Sequence, residues 1–85
     1  MTTITYVIKD ELGIHARPAG LITKTVKGFQ SKVMMGRPEK MVDASKIIGI
    51  MSLGMKCGEE ITLTVDGPDE ADAVRALEEF LAANL

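Results

Sequence analysis

Alternation of apolar and polar residues predicts four short strands, each with one buried face. In the clearest of them, Ile61, Leu63 and Val65 alternate with two threonines. The four segments are 3–8, 31–35, 40–42 and 61–65. A turn-like sequence at 36–39 separates the second segment from the third, so these two strands are expected to form a hairpin.

Apolar residues recur at helical spacing in three other segments of the chain. Ala19, Ile22 and Val26 predict a first helix over residues 16–27, which Gly28 ends. The other two are a short helix over 46–53 and a last helix that begins within 67–70, with proline in its first turn.

The predicted element order is β-α-β-β-α-β-α in a single domain that covers residues 1–85. Four strands that need one covering layer predict an antiparallel sheet with helices on one face, an α+β fold. A chain of 85 residues, 46% of them hydrophobic, can build one modest core but not a deep, enclosed pocket in addition. A large cofactor-dependent enzyme is therefore disfavoured.

The chain lacks the sequence features of a membrane or secreted protein. No apolar run is long enough to span a bilayer, and the N-terminal residues have neither the basic nor the apolar region of a signal peptide. The single cysteine, Cys57, excludes an internal disulfide and fits a reducing compartment. We expect a cytoplasmic protein with no direct membrane insertion.

Charges are sorted along the chain. Residues 12–56 carry eight lysines and arginines against two acidic residues, whereas residues 57–85 carry one arginine against eight acidic residues. This division predicts either a basic face that attracts acidic partners or the ordinary solvation of two different helices. The aromatic residues Tyr6, Phe29 and Phe80 form no basic stacking cluster, which disfavours nucleic acid as a partner.

The one histidine, His15, lies where a loop enters the first predicted helix. Helix N-termini present unpaired N–H groups that attract anions, and the guanidinium of Arg17 suits phosphate oxygens. Together they would hold a phosphoryl group at the imidazole, which is a nucleophile when it is neutral near pH 7. The alternative is a histidine that merely lies near a helix cap.

The sequence provides no second catalytic group and no nucleotide-binding site to act with His15. The chain has no other histidine and no nucleotide-binding loop, and one histidine with one cysteine supplies too few ligands for a zinc site. His15 would therefore have to receive its phosphate from one protein and pass it to another. This describes a carrier that uses no cofactor and no metal.

The short predicted helix has two apolar faces. Ile50 and Leu53 point one way, whereas Ile47, Ile48 and Met51 fall about 100–150° away. If the helices form one layer, the second face is an exposed patch that would bind partners; otherwise the whole helix is buried. The positive residues expected around this patch are Lys24, Lys27 and Lys46.

The sequences GIHARPAG at 13–20 and SKIIGIMSLG at 45–54 resemble HPr. HPr is the histidine-containing phosphocarrier family of the phosphoenolpyruvate-dependent sugar phosphotransferase system. The resemblance runs over essentially the whole chain and implies an open-faced sandwich of four antiparallel strands under three helices. It implies that His15 accepts phosphate on Nδ1 from phosphorylated enzyme I and passes it to sugar-specific IIA proteins.

The resemblance also implies roles for other residues. Arg17 matches the arginine that assists the phosphate, and Ala16 and Arg17 would supply backbone amides. The residues implied in partner binding are Gly20, Lys24, Lys27, Ile47, Ile48 and Met51. Gly20 replaces the alanine expected at its position, which would loosen the first helix slightly. A shuttle must free one face for each partner in turn, so a monomer is expected.

One position departs from the family pattern. In Gram-positive members, HPr kinase phosphorylates a regulatory serine at the start of the short helix. An ungapped match places Lys46 at that position and Ser45 one residue earlier. A phosphate on Ser45 would lie one residue before the favourable N-cap position, and Lys46 places a cation at the helix end that disfavours one. We therefore expect the usual serine regulation by HPr kinase to be absent, with Ser45 as a substitute site to be tested.

Two other functions compete with the carrier. One is an HPr-like regulatory module that contacts transcriptional or metabolic proteins without a transport role; retention of His15 and Arg17 favours the carrier over it. The other is a small phosphatase, which needs an anchored water and a second catalytic group that the sequence does not provide. A nitrogen-regulatory phosphorelay would use the same histidine.

Overall fold

The seven elements follow the predicted order. In a computed structural model that describes residues 1–85, the strands are β1 (Thr2–Val7), β2 (Lys32–Arg37), β3 (Lys40–Asp43) and β4 (Glu60–Asp66). The helices are α1 (Ala16–Lys27), α2 (Ile47–Ser52) and α3 (Glu70–Asn84). None of the helices is long and apolar enough to cross a membrane.

The four strands form one antiparallel sheet in the order β1-β4-β2-β3. The inner strand β4 shows how the core is built, because Leu63 lies opposite Ile4 of β1 and opposite Met35 of β2. All three side chains are buried. They belong to a single cluster of 19 buried apolar residues, to which all three helices contribute.

The two faces of the sheet differ in polarity, as the alternation of residues predicts. Residues of β4 that point toward the helices are fully buried. On the opposite face, threonines form two cross-strand pairs, Thr3 with Thr64 and Thr5 with Thr62. The molecule is therefore an α+β open-faced sandwich, in which four antiparallel strands carry three helices on one side.

The β2–β3 hairpin is tighter than the predicted turn at 36–39. Gly36 pairs with Met41 and Arg37 pairs with Lys40, so only Pro38 and Glu39 remain in the turn. Gly36 has a φ of +148°, which residues with side chains rarely adopt. Gly36 and Arg37 thus remain paired with β3, although both are residues of a sequence typical of turns.

The start of α3 also differs from the prediction. The helix begins at Glu70 after Asp69, so Pro68 precedes the helix instead of lying in its first turn. The Asp69 carboxylate accepts hydrogen bonds from the N–H groups of Gln30 and Ser31, both at 2.8 Å. These bonds and the Ser31 hydroxyl, which has the largest effect, hold the pKa of Asp69 below its usual range. Asp69 therefore joins the α1–β2 loop to the start of α3.

Candidate functional site

His15 is the N-cap residue of α1. Its backbone is extended, with φ −110° and ψ −174°, and its side chain makes no capping hydrogen bond to the helix. The imidazole is 37% exposed. His15 thus lies at the helix cap, but its imidazole does not cap the helix and remains accessible.

The first turn of α1 leaves two backbone N–H groups open beside His15. The amide of Ala19 donates to the His15 carbonyl at 3.0 Å, and Pro18 has no N–H group. The remaining amides, those of Ala16 and Arg17, have no acceptor within the helix. They lie at the positive end of the helix dipole, where an anion is stabilised.

A shallow, open cavity of about 250 Å³ lies in front of His15. The residues that line it are Asp10, His15, Arg17, Pro18, Leu21, Ala83 and Asn84. The side chain of Arg17 is exposed and forms no ion pair or hydrogen bond with the rest of the chain. Its guanidinium is thus available to a phosphoryl group that enters the cavity.

The loop that carries His15 rests on the segment that follows α2. The Ile14 amide donates to the Met55 carbonyl at 3.1 Å. Gly13 has a φ of +66°, and a Cβ atom there would lie 2.7 Å from the Cα of Lys56. Only glycine permits both this backbone conformation and this close approach, so the loop before His15 packs against the segment after α2.

One apolar face of α2 is buried and the other is exposed, as one of the two alternatives predicts. Ile50 and Leu53 are 0% and 4% exposed. On the other face Ile47, Ile48 and Met51 are 41%, 82% and 42% exposed. The alternative of a wholly buried helix is therefore wrong. We call these three exposed residues the docking patch, after the role that the resemblance to HPr implies for them.

Gly20 faces the edge of the docking patch, and three lysines lie either on the same side of α1 or directly before α2. A Cβ atom on Gly20 would lie 3.5 Å from Cδ1 of Ile47, so this part of α1 faces the start of α2. Lys24 and Lys27 follow Gly20 at intervals that keep them on the same side of α1. Lys46 immediately precedes Ile47, and all three lysines are exposed.

Ser45 is not the residue that caps α2. The N-cap is Lys46, and its side chain makes no capping bond. The Ser45 hydroxyl donates to Oδ1 of Asp43 at 2.6 Å, and the Ser45 amide donates to the same oxygen at 2.9 Å. The hydroxyl bond is the main cause that lowers the pKa of Asp43. A phosphate on Ser45 would break this bond and meet a carboxylate of like charge.

Two further contacts near the site were not predicted from the sequence. Oδ1 of Asp10 lies 4.0 Å from Nε2 of His15. Arg37 forms two hydrogen bonds to the Glu59 carboxylate, at 3.0 and 2.9 Å, and a third to the Leu53 carbonyl at 2.8 Å. The Arg37 contacts fix the end of α2. No local spacing signals them, whereas the position of Asp10 in the loop before His15 gave a weak signal.

Comparison with known proteins identifies the family. Residues 2–83 match PTS-HPr, described as the PTS HPr component phosphorylation site. The chain belongs to the HPr family. HPr proteins are phosphocarriers of the phosphotransferase system and are not catalysts, so the phosphocarrier prediction is confirmed at the level of the family.

Relatives match over nearly the whole chain. Phosphocarrier protein HPr of Treponema pallidum is 41% identical over 78 residues, which are 92% of this chain and 89% of that protein. HPr-C-His from Thermoanaerobacter tengcongensis has a TM-score of 0.91 at 38% identity, covering 98% of this chain and 93% of that one. The histidine-containing phosphocarrier protein of Mycoplasma has a TM-score of 0.92 at 30% identity, covering 96% and 93%. Dimers also occur among the similar structures, so the monomer expected here stays a prediction.

Proposed function

We propose that this chain accepts a phosphoryl group on His15 from phosphorylated enzyme I and passes it to sugar-specific IIA proteins in the cytoplasm. The observation that carries this proposal is the environment of His15. The imidazole makes no hydrogen bond to the helix and lines one shallow cavity together with Arg17, whose guanidinium has no partner in the chain. The open amides of Ala16 and Arg17 follow it directly in the chain. Phosphoryl transfer requires a free nucleophile and, beside it, N–H groups that donate hydrogen bonds to the phosphoryl oxygens.

In this chain, the transfer uses the imidazole of His15, the guanidinium of Arg17 and the two open amides. The lone pair of His15 Nδ1 attacks phosphorus while the bond between phosphorus and its donor breaks, and the donor keeps that electron pair. Arg17 and the amides of Ala16 and Arg17 stabilise the charge on the phosphoryl oxygens. The reverse sequence delivers the group to an acceptor. The shallow cavity supports transfer between proteins better than the binding of a small substrate.

The docking patch and its lysines support protein partners with a matching surface. Exposed apolar side chains at the centre and cations at the rim favour a partner with an apolar centre and acidic edges. Gly20 faces Ile47 of the patch and lies five residues after His15 along α1, so a partner bound at the patch can reach the imidazole. Enzyme I and the IIA proteins would occupy this surface one after the other.

The proposal is tested by mixing the protein with phosphoenolpyruvate and enzyme I and then measuring intact mass. We expect the wild type to gain one acid-labile phosphoryl group and His15→Ala to gain none. A wild type that remains unmodified by an active enzyme I would contradict the proposal. That result would favour the regulatory module, whose partners would bind the docking patch without phosphoryl transfer.

Two isoleucines of α2 offer a matched test of docking. Ile48 is 82% exposed and Ile50 is fully buried. We expect Ile48→Ala to leave the urea unfolding curve unchanged. It should raise the KM of enzyme I for this protein about 5- to 30-fold, as the loss of a central contact does. Ile50→Ala should instead lower the free energy of unfolding by about 2–5 kcal/mol. An unchanged KM for Ile48→Ala would exclude the patch as the docking surface.

A serine-regulated role has no comparable support. The hydroxyl of Ser45 is engaged by Asp43, and a lysine occupies the N-cap of α2. We therefore expect HPr kinase with ATP to leave Ser45 unmodified, which mass spectrometry of the digested protein would show.

A further inference from the structure

Asp10 is the one acidic residue in contact with the imidazole of His15. Its Oδ1 atom lies 4.0 Å from Nε2 of the ring, and both residues line the same cavity. This distance is too long for a direct hydrogen bond, but at 4.0 Å a carboxylate still attracts an N–H group directly or through one bridging water. The second ring nitrogen, Nδ1, has no partner in the chain.

The Asp10 carboxylate is held in place by the backbone around it. The Asp10 amide donates to the backbone oxygen of Leu85 at 2.8 Å. Its Oδ1 atom accepts the N–H of Leu12 at 2.9 Å, which closes a short turn in the loop before His15. The same oxygen atom therefore fixes the loop and faces the imidazole.

We infer that Asp10 is a positioning residue that keeps the ring proton of His15 on Nε2 and leaves the lone pair of Nδ1 free to attack phosphorus. The partner of one ring nitrogen decides which nitrogen carries the proton. A carboxylate accepts hydrogen bonds but cannot donate one, so it favours a protonated Nε2. This inference rests on the proposed function of His15 as the phosphoryl acceptor.

The proton balance of the transfer follows from this arrangement. When Nδ1 attacks, the ring keeps its proton on Nε2 and becomes positively charged, and Asp10 offsets this charge. When the phosphoryl group moves on, a lone pair of the acceptor forms the new bond to phosphorus. The electron pair of the P–Nδ1 bond then returns to Nδ1. The leaving group is neutral imidazole instead of an imidazolate anion, so no proton has to move during either step.

The tautomer of His15 can be measured without any partner protein. In ¹⁵N NMR of the unphosphorylated wild type, Nδ1 should show the shift of an unprotonated nitrogen and Nε2 that of a protonated one. In Asp10→Asn the two shifts should move toward each other, because the charge is lost while an acceptor for Leu12 remains. Asp10→Ser is a second neutral variant that also keeps such an acceptor.

Glu11 offers a matched control. It lies next to Asp10, is exposed and forms no ion pair or hydrogen bond. Glu11→Gln thus removes the same charge from the same loop and should leave both ring shifts unchanged. Unchanged shifts in folded Asp10→Asn, or equal changes in Glu11→Gln, would overturn the role of Asp10.

Stability of the phosphohistidine provides a second readout. After His15 is loaded chemically with phosphoramidate, we expect Asp10→Asn to lose its phosphate about two- to fivefold more slowly than the wild type, the range that one exposed charge interaction supports. An equal rate of loss would contradict the inference. Neither measurement uses enzyme I, so a wild type that enzyme I fails to phosphorylate would contradict the proposed function alone.

Discussion

The N-termini of α1 and α2 differ in the groups that surround them. At the start of α1, the N-cap side chain makes no hydrogen bond and two amides are open. At the start of α2, the N-cap is a lysine, and the preceding Ser45 is bound twice by the Asp43 carboxylate. The start of α1 has free donors for an anion, whereas the residue before the N-cap of α2 is bound to a carboxylate that would repel one.

The difference shows that a helix N-terminus alone does not make a phosphate site. Both helices have a positive dipole end, but only α1 combines it with a nucleophile and an unpaired arginine. At α2 a phosphate would have to displace the bond between Ser45 and Asp43 and remain near that carboxylate. Local side chains therefore decide which helix carries phosphate, and the comparison can be tested by changing them one at a time.

Arg17 should have the largest effect on phosphorylation among the variants that keep His15. We expect Arg17→Ala to slow phosphorylation by enzyme I about 10²-fold, as the loss of one donor to a transition-state oxygen does. Arg17→Lys should fall between this variant and the wild type, because it keeps the charge and loses the two-pronged geometry. Stopped reactions with phosphoenolpyruvate would measure these rates.

The control for this prediction is Arg75→Ala, which removes an exposed and unpaired arginine from α3. It should be phosphorylated at the wild-type rate. Equal rates for Arg17→Ala and the wild type would mean that the open amides of α1 hold the phosphoryl group without help from a side chain.

Gly13→Ala should be the most destabilising substitution in the loop before α1. The new Cβ atom would lie 2.7 Å from the Cα of Lys56, on a backbone with φ +66°. We expect the free energy of unfolding to fall by about 2–3 kcal/mol in urea titrations. Gly54→Ala separates strain from collision, because φ is +59° there and no atom lies within 4 Å. It should cost about 1 kcal/mol, and equal losses at the two positions would exclude the contact with Lys56 as the cause.

Ser45→Ala should have a smaller effect on stability, and one that depends on pH. Loss of the hydroxyl bond to Asp43 should lower the free energy of unfolding by about 1 kcal/mol at pH 7. The Ser45 hydroxyl is the main cause that depresses the pKa of Asp43 in the folded protein. Its stabilising contribution is therefore fully present above the ordinary aspartate pKa of about 4 and is lost as the pH falls through the lower folded value.

Urea unfolding at pH 7 and at pH 3 measures this dependence. The difference between Ser45→Ala and the wild type should shrink at the lower pH, while phosphorylation of His15 at pH 7 remains unchanged. A difference that stays constant with pH would mean that the Asp43 carboxylate does not hold Ser45.

Gly20→Ala should have the smallest effect and should stabilise the protein. An alanine in place of a glycine inside a helix contributes about 0.5–1 kcal/mol. The added Cβ atom would lie 3.5 Å from Cδ1 of Ile47, an ordinary van der Waals distance. Thermal unfolding should show a higher Tm. A lower Tm would indicate that α1 and α2 are packed too closely at this point to accept a methyl group.

Much of the fold could be predicted because the signal for it is local. In β4, apolar residues alternate with threonines, which predicts that every second residue is buried. The three predicted residues, Ile61, Leu63 and Val65, are all fully buried. The end of β2 could not be placed from the sequence, because pairing of Arg37 with Lys40 extends the strand into residues that favour turns. Strand ends depend on the partner strand as well as on composition.

The candidate site also has a part that the sequence predicts and a part that it does not. The residues around His15 and Arg17 form a local motif that predicts a phosphate site. The spacing of apolar residues in α2 predicts its two apolar faces. Contacts between distant segments have no such signal. Arg37 and Glu59 are 22 residues apart, and only the folded sheet brings them together. The part of the site that positions α2 was therefore missed.

The most direct test of the account is phosphorus NMR of the protein after phosphorylation by enzyme I, with ¹⁵N-labelled histidine. We expect one phosphoramidate signal coupled to Nδ1 of His15, and its absence in His15→Ala. A phosphate-ester signal that persists in His15→Ala and disappears in Ser45→Ala would contradict it, because the phosphate would then lie at the start of α2.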